Sequence, residues 1–310
     1  MNIIDTKSDL AFKKVFGEKP HLLMSLLNSF LPLPNPIAEI QYLNPEIIPD
    51  KTDGKNSIVD VHCVDKHGRS FIVEMQVARQ SGFTKRILMN TAKVYSRQFS
   101  KNDQYSHAQP VYSLNLLDHR LKPNENQWYH HYTFSNRHDH NDYMEEMQII
   151  LVELPKWRKL NKFDISKTQD RWLMYFTQPT LFERLTPEEY ARYSEICEAL
   201  ESLESKNLTP EQIRGYELYV DSIRQYHTTM SIEREEGREE GREEGREEGR
   251  EEGREEGREE GREEGIQVGA KKLESTLSDL KSGLTIDEVA AKQNFDRSYI
   301  EFLYQQFILK

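Results

Sequence analysis

An α/β fold, with a mixed sheet flanked by helices, is what the first half of this chain predicts, and three observations predict it. Ile58–Val64 and Arg69–Val77 alternate in character and are joined by the short turn Lys66-His67-Gly68, as two antiparallel strands are. A helical stretch runs from Lys85 to Lys101. Val111–Leu117 then reads as an apolar run suited to a buried parallel strand.

Each element has its own signal. Thr6 can cap a first helix, Asp9 would sit at its third position, and Gly17 would stop it. His21–Leu31 reads as a second amphipathic helix, halted by Pro32, Pro34 and Pro36. Ile37–Ile48 reads as the first strand, so the core order is helix-strand-strand-strand-helix-strand (αβββαβ). Two further extended runs between Trp128 and Leu154 flank Asn136–Asn141 and predict a hairpin that extends the sheet. His130, His131, His138 and His140 cluster there in no familiar zinc spacing, and read as surface loop histidines.

After Pro155 the pattern turns helical. Thr186-Pro187-Glu188-Glu189 and Thr209-Pro210-Glu211-Gln212 each offer a Thr cap, Pro at the first helical position and an acid or amide at the third. Tyr190, Tyr193, Tyr216, Tyr219 and Tyr226 fall at helical spacing and read as packing. Thr285 with Glu288 opens another helix, Asn294 can turn, and Asp296 caps Arg297–Leu309, a helix-turn-helix-like tail. Its second helix starts with little positive charge, so docking or self-association suits it at least as well as DNA reading. The domains expected are 1–155 for the core with its hairpin, 156–230 helical, 231–266 a repeat, and 267–310 the C-terminal helical tail.

The hairpin carries the chemistry. Its three-residue loop pairs Asp65 with Arg69, and counting back sets Asp60 opposite Glu74, with Gln76 on the same face as Glu74. Opposed strand residues have Cβ atoms roughly 4.5–5.5 Å apart. Two carboxylates so placed repel unless a cation lies between them, and such oxygen ligands suit Mg²⁺ or Mn²⁺. The plainer alternative is that these groups are the wet side of a hairpin. On the following helix Arg86, Lys93 and Arg97 would share one face, either a phosphate-tracking stripe or a solvated surface.

Charge has to be partitioned. The 310 residues carry a net −11, but residues 234–265 are eight copies of Arg-Glu-Glu-Gly with a net of −8, leaving −3 elsewhere. A nearly neutral body leaves room for a basic groove. Within the repeat Glu239 can reach Arg242, which favours a helix, while each Gly costs about 1 kcal/mol relative to Ala. There is no apolar stripe, so the range runs from a solvated helix to a mobile tether. Cys63 and Cys197 have no zinc spacing and read as buried thiols in a reducing compartment. No signal pattern and no long apolar run is present, which predicts a cytoplasmic protein with no membrane association.

Four stretches taken together resemble a known family: Thr6–Gly17; Asp60 with Glu74-Met75-Gln76; Lys85–Tyr105 with Arg86 and Tyr95; and Gln109–Leu114. They are similar to the recombination-promoting nuclease/transposase family of the PD-(D/E)XK nuclease superfamily, through the first half and more weakly to Lys156. The resemblance implies a restriction-endonuclease-like core and a metal-dependent DNA endonuclease linked to recombination, mobile elements or phage. It implies Asp60, Glu74 and the Met75 backbone carbonyl as ligands of Mg²⁺ or Mn²⁺, and Gln76 as the group orienting water or phosphate. Arg86 and Lys93 would hold phosphate, and Asp9 is a candidate accessory acid. Gln76 departs from the superfamily's usual Lys and brings no positive charge. The alternative is a non-catalytic nucleic-acid or protein-binding adaptor that keeps the fold, with the tail as a regulatory or oligomerisation module.

Overall fold

The computed structural model describes residues 2–47, 57–99, 104–139, 141–160 and 162–308. Ile48, Lys101, His140 and Leu309, which fall in expected elements, lie outside the described residues. The chain divides into two compact units, residues 1–227 and 228–310.

The first unit opens with α1 (Asp9–Phe12), which continues through a π-helical turn at Lys13–Gly17, and α2 (Pro20–Phe30). The cap of α1 is Ser8, whose hydroxyl accepts from the Ala11 N–H, rather than the expected Thr6. Asp9 is therefore the first helical residue and not the third. The expected long first strand is broken into β1 (Ile40–Tyr42) and β2 (Glu46–Ile47), the latter pairing with β3 (Ser57–Ile58) in a separate ribbon.

β4 (Val61–Asp65) and β5 (Ser70–Gln76) form the predicted hairpin with the predicted register, Val61 facing Val73 and Val64 facing Ser70. Gly68 takes φ 82°, the left-handed conformation that closes this loop. The crossover helix α3 spans Phe83–Ser96, two residues earlier at its start than the pattern suggests. β6 (Val111–Leu117) then lies parallel to β5, fully buried along its length. β7 (Tyr129–Ser135) and β8 (Tyr143–Glu153) make the added hairpin, β8 parallel to β6. The sheet order is β1-β4-β5-β6-β8-β7, mixed as expected.

Two layers of helix cover this sheet because its strands are apolar on both faces. On one face Ile87 and Phe83 of α3 meet Leu117 and Leu151, and Val94 meets Ile72 and Val111. On the other, Phe71, Val73, Leu114, Leu116 and Ile150 share a core with residues of α1, α2, α4 (Leu154–Leu160), α5 (Thr168–Thr177) and α7 (Ser194–Ser202). Phe16 sits 5.2 Å from Trp172 and 4.8 Å from Phe12 between ring centroids, tying the first helical turns to α5. Thr186 opens α6 (Pro187–Arg192) with the reciprocal capping box its sequence predicts.

His130 and His131 lie on β7 rather than in a loop: His130 is buried, with Nε2 2.9 Å from Glu153 Oε1, while His131 is exposed, with Nε2 2.9 Å from Gln148 Oε1. Both thiols are free and buried, and burial pushes the Cys63 thiol up to about 12.

α8 spans Pro210–Lys281 and includes all eight repeats as continuous helix. The second unit takes the later part of α8 with α9 (Ile286–Gln293) and α10 (Arg297–Phe307). Leu280, Val289, Ile300 and Leu303 form its small core. Thr285 and Glu288 make the predicted capping box, Asn294 turns at φ 54°, and Asp296 caps α10. Among the described residues no helix is long and apolar enough to cross a membrane.

Candidate active site

The loop that sets the hairpin register also sets the site. Continuing the β4–β5 ladder one step past Val61–Val73 brings Asp60 beside Glu74, just before β4 begins. Ser70 donates to the Pro110 carbonyl, and Asp118 donates to the Gln76 carbonyl. Even-numbered residues of β5 therefore bond toward β6, and Met75 turns its N–H and C=O toward the vacated β4 edge. Its N–H donates to Asp60 Oδ2 at 2.6 Å, which fixes that carboxylate against the backbone of β5.

Glu74 is buried and held from α3. Arg86 Nη2 lies 3.0 Å from Glu74 Oε2, and Asn90 Nδ2 lies 3.2 Å from Glu74 Oε1. The same Arg86 nitrogen donates to Gln76 Oε1 at 2.8 Å, while Gln76 Nε2 donates to the Ala78 carbonyl at 2.7 Å. Arg86 and Asn90 are four apart, so one helix face carries both toward β5. Gln76 brings no charge of its own, but a guanidinium sits against it.

The electrostatics follow from burial. Asp60 is pushed up to about 6, first by burial, with the Glu74 and Asp9 carboxylates adding to the rise and the Met75 N–H and Lys13 opposing it. Burial also raises Glu74, against the lowering effect of Arg86 and Asn90. The structure thus brings Asp60, Glu74, Gln76, Met75 and Arg86 together. Asp9 stands within electrostatic reach of Asp60 but is exposed and paired with Lys13 at 3.0 Å. Lys93 lies further along α3, half-buried, and among the described residues no hydrogen bond or ion pair joins it to the acid pair.

A divalent cation can be tested against these groups. Among the described residues no three or more His, Cys, Asp or Glu side chains converge to hold an ion. What the site offers is two carboxylates and a backbone carbonyl facing the same edge. That donor chemistry fits Mg²⁺, which takes one or two carboxylates and keeps several waters. Each Glu74 oxygen accepts one bond here and keeps a lone pair. Asn90 Oδ1 and Arg86 Nε are buried without a hydrogen-bond partner among the described residues, so polar capacity is left over beside the carboxylates.

Sequence reasoning missed Asn90 and Asp118. Asn90 signals itself only as an amide on the apolar face of α3, one turn after Arg86. Asp118 gives no local signal; its N–H caps the Gln76 carbonyl at 3.0 Å and its carboxylate meets Lys7 at 2.6 Å.

An acid pair at the end of a mixed sheet, on an αβββαβ core with a crossover helix over it, defines a restriction-endonuclease-like protein. Residues 6–232 match the PD-(D/E)XK nuclease family transposase model, and the chain belongs to that family. No curated protein and no solved structure matches it.

Proposed function

We propose that the protein is a metal-dependent DNA endonuclease of recombination or mobile-element processes, acting in the cytoplasm. The observation that carries the reading is the Asp60–Glu74 pair, both raised by burial and set by the hairpin register beside Met75. Asp60, Glu74 and the Met75 carbonyl would hold Mg²⁺ or Mn²⁺. When bound, such an ion supplies an activated water and charge neutralisation at a scissile phosphate.

The chain's own residues do the rest. The Met75 N–H keeps Asp60 facing the site, and Asn90 with Arg86 keeps Glu74 in place. Gln76, its amide oriented by Arg86 and Ala78, has a second N–H and a second lone pair with which to orient water or phosphate. Arg86 supplies the positive charge that Gln76 lacks. Since its guanidinium is engaged with Glu74 and Gln76, its first role is to position these groups, with phosphate contact secondary. Lys93 is the second cation proposed for the phosphate backbone.

The adaptor reading stands beside this one because, among the described residues, the site gathers two acids and not three. Incubating supercoiled plasmid with Mg²⁺ or Mn²⁺ separates them. Nicking by the wild type that disappears with EDTA, with Asp60→Ala and with Glu74→Ala supports the nuclease. DNA binding without nicking in every form supports the adaptor, with the C-terminal unit as its self-association or regulatory part.

A further inference from the structure

The carboxyl edge of the sheet continues past the acid pair into a second feature. Asp118, bonded to the Gln76 carbonyl, also holds Lys7, and together they open a cleft of about 400 Å³. It is lined by Leu154 and Pro155 at the start of α4, just past β8, and by Arg158, Lys159 and Thr177. α4 divides its cations sharply. Lys156 turns inward and is buried, donating to Glu153 Oε1 at 2.8 Å and to the Gln127 carbonyl at 3.1 Å. Arg158 and Lys159 turn outward and are exposed, and neither makes an ion pair among the described residues. Asp118 offsets Lys7, so the cleft keeps a surplus of two positive charges in a chain whose net charge is negative.

We infer that this Lys7–Arg158–Lys159 cleft holds the phosphate backbone of a DNA duplex entering or leaving the acid pair. The inference deepens the DNA reading above and rests on it. A small anion is captured by convergent, buried donors. This cleft has instead an apolar lining and long flexible cations, which suits a polyanion that brings phosphates in series and releases counterions as it binds. Open α/β sheets also take their ligands outside the carboxyl ends of the strands, where this cleft lies.

The test is fluorescence anisotropy of a short labelled duplex across a salt series, in EDTA so that no strand is cut. Arg158→Glu and Lys159→Glu should each weaken binding and lower the slope of log K against log salt by about 1, and the double variant by about 2. Lys66→Glu, in the hairpin loop at the opposite end of β5, changes net charge as much as either single variant and should leave the slope unaltered. Unaltered binding in the double variant overturns the inference, as does an equal loss in Lys66→Glu or a wild type with no affinity for the duplex. Inorganic phosphate at constant ionic strength should not displace the duplex; displacement that needs Arg158 and Lys159 would make this a free-phosphate site and overturn the DNA assignment. Slopes that fall as stated, in a protein that never nicks plasmid once Mg²⁺ is restored, leave the cleft standing and remove the hydrolytic reading alone.

Discussion

Phe12, Phe16, Trp172, Tyr175 and Phe176 interlock beneath the sheet of the first unit, all buried, while the second unit buries little more than Leu280, Val289, Ile300 and Leu303. Within the second unit, the repeat at 234–265 buries nothing. The first unit can therefore hold Glu74, Gln76 and Asn90 out of water, because apolar packing on both faces of the sheet already fixes where their partners lie. In the second, polar groups work at the surface as caps and ion pairs: Thr285 with Glu288, and Asp279 with Lys292 at 2.7 Å. A buried polar site needs a thick apolar surround; a small helical module depends on local, exposed interactions.

The largest expected effect lies in the thick core. Trp172→Ala should destabilise the first unit by ~3–5 kcal/mol in urea followed by circular dichroism. Leu303→Ala should lower only the second unit, by ~2–4 kcal/mol. A single transition shifted equally by both substitutions would break the contrast between the units.

Arg86→Met should act at intermediate size, ~1–3 kcal/mol at neutral pH, by leaving Glu74 buried without its counter-charge. The sign is set by protonation. Glu74 is already raised in the folded state, and losing Arg86 raises it further. The variant's deficit should therefore be small in acid, where Glu74 is neutral in both states, and grow as pH rises through its folded pKa. A deficit that does not vary with pH would assign Arg86 a packing role only.

The smallest effect belongs to Asp279. Lys292 and Gln293 hold its carboxyl below the usual range. Its contribution is present above the unfolded carboxylate pKa and lost as pH falls through the folded one. Asp279→Asn should lower the melting temperature of the second unit at neutral pH and leave it unaltered in strong acid.

These contrasts also mark what a sequence can reveal. The hairpin register was legible because a three-residue loop with Gly68 at φ 82° is a local matter, as are the Thr186 and Thr285 capping boxes. The αL turn at Asn294 was legible for the same reason. Thr6 and Ser8 compete for one cap two residues apart, and only the backbone decides for Ser8. Partnerships across the sheet were not legible. Arg86 reads as a free helix cation until α3 docks on β5, and His130 reads as a loop residue until Glu153, twenty-three positions later, closes on it. The helicity of the repeat was not legible because its Glu–Arg pairs three apart favour a helix while its glycines oppose one, and local terms alone lean toward the glycines.

Titration of the protein with Mn²⁺ by isothermal calorimetry, beside Asp60→Asn and Glu74→Gln, tests the acid pair most directly. The wild type should bind Mn²⁺, and each substitution should weaken binding at least about tenfold, since each removes one of the two carboxylates proposed to hold the ion. Equal Mn²⁺ affinity in all three proteins, or none in the wild type, would contradict a metal site at Asp60 and Glu74.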